Sequence, residues 1–138
     1  MTSLNPTSSL SSFADDWVLV IDDDEPVRAM LLIALSSESV EVVAASGATE
    51  ALDILQRRST EPVLVLTDVM MPETNGLVLA RKLSSMLKRS KLAIMSGHLN
   101  SIAWWPVEMR EIAYIAKPFR VSEVVSLVAL ARAEFKRD

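Results

Sequence analysis

Four short segments of the chain each place reactive side chains directly after an apolar run. Asp22, Asp23, Asp24 and Glu25 follow Trp17-Val18-Leu19-Val20-Ile21, and Thr67 and Asp68 follow Val63-Leu64-Val65-Leu66. Ser96 and Gly97 follow Leu92-Ala93-Ile94-Met95, and Lys117 and Pro118 follow Ile112-Ala113-Tyr114-Ile115-Ala116. Carboxylates crowded together repel one another, so some must protonate or share a cation. A hard divalent ion held by oxygens meets that need, and Mg2+ takes only a few carboxylates while keeping waters. A hydroxyl and an ammonium nearby would donate to phosphoryl oxygens and spread their charge. If the four runs end at one edge, these groups read as a phosphoryl site with a carboxylate as nucleophile.

The elements between them have to bring that edge about. Runs that are apolar at every position are buried on both faces, the signature of a parallel strand covered by helices. Val40-Glu41-Val42-Val43-Ala44 is a further strand-like segment. Between the strands, Val27, Met30, Leu31, Ala34 and Leu35 recur at helical spacing, with Pro26 in the first turn. A second helical stretch after Gly47 carries Ala51, Leu52 and Leu55, and a third, after Pro72 and Asn75-Gly76, carries Leu79, Leu83 and Met86. Val121, Val124, Val125, Val128 and Ala131 line one face of a closing helix, with Ser122 expected as its cap. Strands alternating with helices in this way predict a doubly wound α/β domain with a five-stranded parallel sheet. Such sheets bind ligands beyond the carboxyl ends of their strands. Trp104-Trp105-Pro106 interrupts the stretch before the last strand, so the fourth helix is expected to be short or irregular.

With these residues in place, the chain resembles the receiver domains of two-component response regulators. The resemblance is carried by Val18-Leu19-Val20-Ile21-Asp22-Asp23-Asp24-Glu25, Leu66-Thr67-Asp68-Val69-Met70-Met71-Pro72, Asn75-Gly76, Met95-Ser96-Gly97 and Ala116-Lys117-Pro118-Phe119. It covers Trp17 to Phe135, and Leu64 to Gly97 is particularly similar to the receivers of hybrid histidine kinases. It implies a flavodoxin-like (βα)5 fold with strand order 2-1-3-4-5. It implies that Asp68 accepts a phosphoryl group from a histidine kinase or histidine phosphotransfer protein. Mg2+ is then held by Asp22, Asp23, Asp68 and the Met70 carbonyl. Ser96 and Lys117 bond phosphoryl oxygens, and Lys117-Pro118 is a cis peptide. Tyr114 matches the aromatic that moves inward with Ser96, although a plain core role fits it as well. Self-dephosphorylation is the only catalysis implied. Output passes through protein contacts on the surface of the fourth helix, fifth strand and fifth helix. His98 and Met70 flank the expected phosphoryl group at positions that tune its lifetime, with a surface loop histidine as the plainer reading of His98.

Composition narrows the classes. The 138 residues fit one domain, read as a Ser/Thr-rich loose tail over 1–14 and a receiver over 15–138. Without cysteine and with one histidine, a disulfide framework, a thiolate zinc site and a paired-histidine site are excluded. Net charge is −4 and no apolar run approaches the ~18 residues of a membrane span, so neither nucleic acid nor membrane is expected as a partner and the chain reads as cytoplasmic. Arg81, Lys82, Lys88, Arg89 and Lys91 read as a solvated basic face. The expected state is a monomer or weak homodimer, Trp104 and Trp105 serving local packing or a docking patch. Two other classes compete: a pseudo-receiver that binds protein without phosphorylation, and a Mg2+-dependent phosphohydrolase of the haloacid dehalogenase type. Against the latter, the first acidic run ends in Pro26 and no late acidic pair follows. Asp24 and Glu25 suit the N-terminus of the first helix better than the site.

Overall fold

Side chains of a strand alternate between faces, so a strand buried throughout needs a layer on each side. β1 (Trp17–Ile21) and β3 (Leu64–Asp68) are buried at all positions and occupy the middle of the sheet. The computed structural model describes residues 16–71, 74–97 and 112–135. Beside β1 and β3 run β2 (Glu41–Ala45), β6 (Lys91–Ser96) and β7 (Ala113–Ala116), all parallel, in the order β2-β1-β3-β6-β7. Counted along the chain, the five strands of this sheet stand in the expected order 2-1-3-4-5. The described helices are α1 (Glu25–Ala34), α2 (Ala48–Arg57), α3 (Gly76–Met86) and α4 (Val121–Glu134).

The alternation sorts the core into two layers. Val18, Val20, Leu64, Leu66, Ala93 and Met95 face Leu31 and Leu35 at α1 and Val124, Val128 and Ala131 of α4. Trp17, Leu19, Ile21 and Val65 face Ala51 of α2 and Leu79 and Leu83 of α3. At about 25 cal/mol per Å2 of apolar surface, each buried Leu or Ile contributes roughly 2 kcal/mol to holding helices on both faces.

Polar clasps fix the end of the sheet opposite the acidic loops. The Arg132 guanidinium of α4 reaches Asp16 Oδ2 at 2.9 Å and the Glu38 carbonyl at 2.7 Å, tying the last helix to the start of β1. Trp17 Nε1 donates to the Thr60 carbonyl and hydroxyl, both at 3.2 Å, and the Arg58 guanidinium lies 4.4 Å over its ring while chelating Glu41. Glu61 accepts hydrogen bonds from the backbone N–H groups of Lys88, Arg89 and Ser90 and from the Ser90 hydroxyl. That carboxylate closes the turn between α3 and β6.

Several expectations need correction. Ser122 does not cap α4; Arg120 does, in an extended conformation, and its N–H donates to Glu123 Oε1 at 2.7 Å. An acid three residues into a helix reaches back to the cap N–H more readily than the hydroxyl of a residue already inside it. Met30, at helical spacing with Leu31 and Leu35, and Val121, placed on one face with Val124 and Val128, are 40% and 48% exposed. A helix apolar on several sides does not reveal which stripe faces the sheet. β4 (Met70–Met71) and β5 (Thr74–Asn75) form an antiparallel ribbon that the sequence reading treated only as a break in the chain. The tail expected over 1–14, His98, Trp104, Trp105, Pro106 and the stretch before Ile112 where a short or irregular helix was expected lie outside the described residues.

Candidate functional site

β1 and β3 are adjacent and parallel, with Ile21 paired to Thr67. The residues that follow, Asp22 and Asp68, therefore emerge side by side at the carboxyl edge. Carboxylate oxygens of Asp22, Asp23 and Asp68 lie within 4.8 Å of one another. Asp22 is fully buried and Asp68 nearly so, whereas Asp23 is exposed. Lys117, one residue past β7, extends across the strand ends, and its Nζ lies 2.9 Å from Asp22 Oδ2 and 3.0 Å from Asp68 Oδ2. The Lys117-Pro118 peptide is cis.

Burying a carboxylate is costly unless its oxygens are hydrogen-bonded. At Asp22 every polar atom has a partner. Its N–H donates to the Ala45 carbonyl at 3.1 Å, and its own carbonyl accepts from Arg28 at 2.7 Å. Oδ1 accepts from the Asp24 N–H at 2.9 Å, and Oδ2 accepts from Lys117. For Lys117, burial pushes the ammonium's pKa down. Hydrogen bonds from its protons to Asp22 and Asp68, with the charges of both acids, outweigh this and hold the pKa above the usual lysine value. Lys117 is thus a fixed positive charge at neutral pH.

Ser96 ends β6 immediately after Met95, the residue paired with Asp68, and is buried. Its carbonyl accepts from the Lys117 N–H at 2.8 Å. The Tyr114 hydroxyl lies 3.4 Å from the same carbonyl, too long for a strong hydrogen bond, with the ring half-buried beside Ile94 and Val69. Met70 opens the β4–β5 ribbon two residues after Asp68. Of the residues expected at the site, Asp22, Asp23, Asp68 and Lys117 meet directly, and Ser96 and Tyr114 border them on the neighbouring strands. Asp24 is the N-cap of α1 and Glu25 lies in its first turn, as expected for helix acids.

The donor set fits a divalent cation. Three carboxylates have oxygens within 4.8 Å of one another, and all three offer hard oxygen donors. Arg28 and Glu50 were not singled out in the sequence. Glu50 of α2 accepts from the Ser46 N–H at 2.8 Å and the Ser46 hydroxyl at 3.0 Å, in the loop beside the acids. The available signal was an arginine one helical turn beyond an acidic run.

The family described as response regulator receiver domain matches residues 18–129, and the chain belongs to it. Receiver domains of two-component systems are phosphoacceptors rather than enzymes, and they interact with histidine kinases and downstream effectors. The chain is 32% identical over 120 residues to the DNA-binding transcriptional regulator NtrC of Bradyrhizobium sp. (strain RP501 Parasponia), covering 86% of this chain and 25% of that protein. It spans 25% to 63% of the length of the curated relatives it matches. A response regulator receiver domain protein from Clostridium thermocellum superposes with a TM-score of 0.72 at 26% identity, covering 84% of this chain and 93% of that one. The response regulator TrrA from Thermotoga maritima, solved in complex with Mg(2+)-BeF, gives 0.72 at 25% identity, covering 84% of this chain and 98% of that one. Among the described residues no helix is long and apolar enough to cross a membrane.

Proposed function

We propose that this receiver accepts a phosphoryl group on Asp68 from a phosphohistidine of a histidine kinase or histidine phosphotransfer protein. The observation that carries the reading is the meeting of Lys117 with Asp22 and Asp68, with Asp23 alongside. An Asp68 carboxylate oxygen attacks phosphorus, the P–N bond breaks, and the imidazole leaves with the electron pair and takes a proton. Asp22, Asp23, Asp68 and the Met70 carbonyl would hold Mg2+, which supplies Lewis-acid polarisation of a phosphoryl oxygen. Lys117 exchanges its contact with Asp68 for a phosphoryl oxygen, and the Ser96 hydroxyl donates to another. Ser96 and its loop then gain a partner present in one state only, which shifts a conformational equilibrium by about 1–3 kcal/mol. Tyr114, beside Ser96, reports that shift to downstream proteins.

The phosphoryl group is lost by slow self-hydrolysis, the only reaction the chain carries out unaided. It works in the cytoplasm as a monomer or weak homodimer. It contacts protein rather than nucleic acid: net charge is −4, and Lys91 of the basic face is already paired with Glu134. Incubation with acetyl phosphate and Mg2+, followed by intact mass, tests the reading. A single phosphoryl adduct, absent in Asp68→Asn, supports it. Continuous phosphate release marks a haloacid-dehalogenase-type hydrolase instead, and no reaction marks a pseudo-receiver binding module.

A further inference from the structure

The acid-bearing loop is held from the helix side by a residue that touches neither carboxylate oxygen. Arg28 leaves α1 one turn after the acidic run and turns back, so that a guanidinium nitrogen donates to the Asp22 carbonyl at 2.7 Å. The opposite end of that loop is pinned by the Asp22 N–H to Ala45, the last residue of β2. On the neighbouring loop, the Glu50 carboxylate is fixed by both donors of Ser46. Arg28 and Ala45 thus hold the two ends of the Asp22 backbone, tying the β1–α1 loop to α1 and to the end of β2. A carbonyl held by a planar, permanently charged donor leaves its peptide little rotational freedom. That peptide joins Asp22 to Asp23, so its orientation sets where both carboxylates point.

Resting on the proposed cation site, we infer that Arg28 is a positioning residue that fixes the Asp22–Asp23 peptide for cation binding. Charge alone makes the opposite prediction. Removing a cation near three carboxylates raises their affinity for a divalent ion, whereas removing the tether lowers it. Groups that orient metal ligands from behind typically carry a tenfold to hundredfold effect on affinity.

Calorimetric titration of Mg2+ into the unphosphorylated full chain decides between them, with urea denaturation in metal-free buffer run alongside. Arg28→Ala is expected to weaken Mg2+ binding about tenfold, and Arg28→Lys to recover part of the loss. Arg28→Gln, which keeps a donor without the charge, serves if the alanine variant does not fold. Unchanged or tighter binding in a folded Arg28 variant overturns the inference while leaving the cation site standing. Absence of Mg2+ binding in the unaltered protein overturns the cation site and this inference with it.

Discussion

Lys117 and Asp22 stand 95 residues apart in the chain, and their side chains meet at 2.9 Å. The same ammonium reaches Asp68, so one cation joins the ends of the first, third and last strands of the main sheet. It does so beside the acids Asp22, Asp23 and Asp68, whose carboxylate oxygens lie within 4.8 Å of one another.

Removing that cation leaves two buried carboxylates facing each other. Lys117→Ala is expected to lower stability in metal-free buffer by about 2 kcal/mol, less than for a fully buried pair because Lys117 is partly exposed. Millimolar Mg2+ narrows the gap, since a bound cation favours the native state. Urea denaturation with and without Mg2+ reads both effects; a variant as stable as the parent without metal contradicts the account.

The buried Asp16 carboxylate pairs with the Arg132 guanidinium at 2.9 Å. Arg132→Leu is expected to cost about 3 kcal/mol and lower Tm by several degrees. Substituting both residues together, Asp16→Asn with Arg132→Leu, should cost less than the sum of the single changes, because each single change removes the same ion pair. Additive losses in thermal denaturation would count against this pairing.

Glu61 ties the α3–β6 turn by accepting from four donors, and Glu61→Gln is expected to destabilise by about 1–2 kcal/mol. Burial pushes this carboxyl up, but the donors from Lys88, Arg89 and Ser90 outweigh it and leave the pKa below the ordinary value of 4.5. A depressed folded-state pKa stabilises at pH above 4.5 and ceases to do so as pH falls through the folded value. The parent and Glu61→Gln stability curves should therefore converge under acid conditions, a comparison of denaturation midpoints against pH.

Much of this architecture was legible because burial on both faces leaves a signature that period-2 alternation does not. β1 and β3 read as central strands from unbroken apolar runs, and each run stops at the acids that matter. The order of the strands and the convergence of Asp22, Asp68 and Lys117 followed from the resemblance and from parallel topology. Local spacing was uninformative elsewhere. The β4–β5 ribbon is two residues per strand, too short for any periodicity. Leu31 points to the sheet and Met30 to solvent although both are apolar neighbours on one helix. Arg28, Glu61 and Arg132 act through backbone carbonyls, backbone N–H groups or a partner far along the chain, and no residue-type pattern records such contacts.

The claim on which the functional account rests is that the Asp68 carboxylate becomes an acyl phosphate. Borohydride reduction after acetyl phosphate treatment converts a phosphoaspartate to homoserine, which peptide mass spectrometry locates. The account predicts homoserine at position 68, dependent on Mg2+ and absent without the phosphodonor. Homoserine at Asp22 or Asp23 instead, or none at any acid while the protein remains folded, would contradict it.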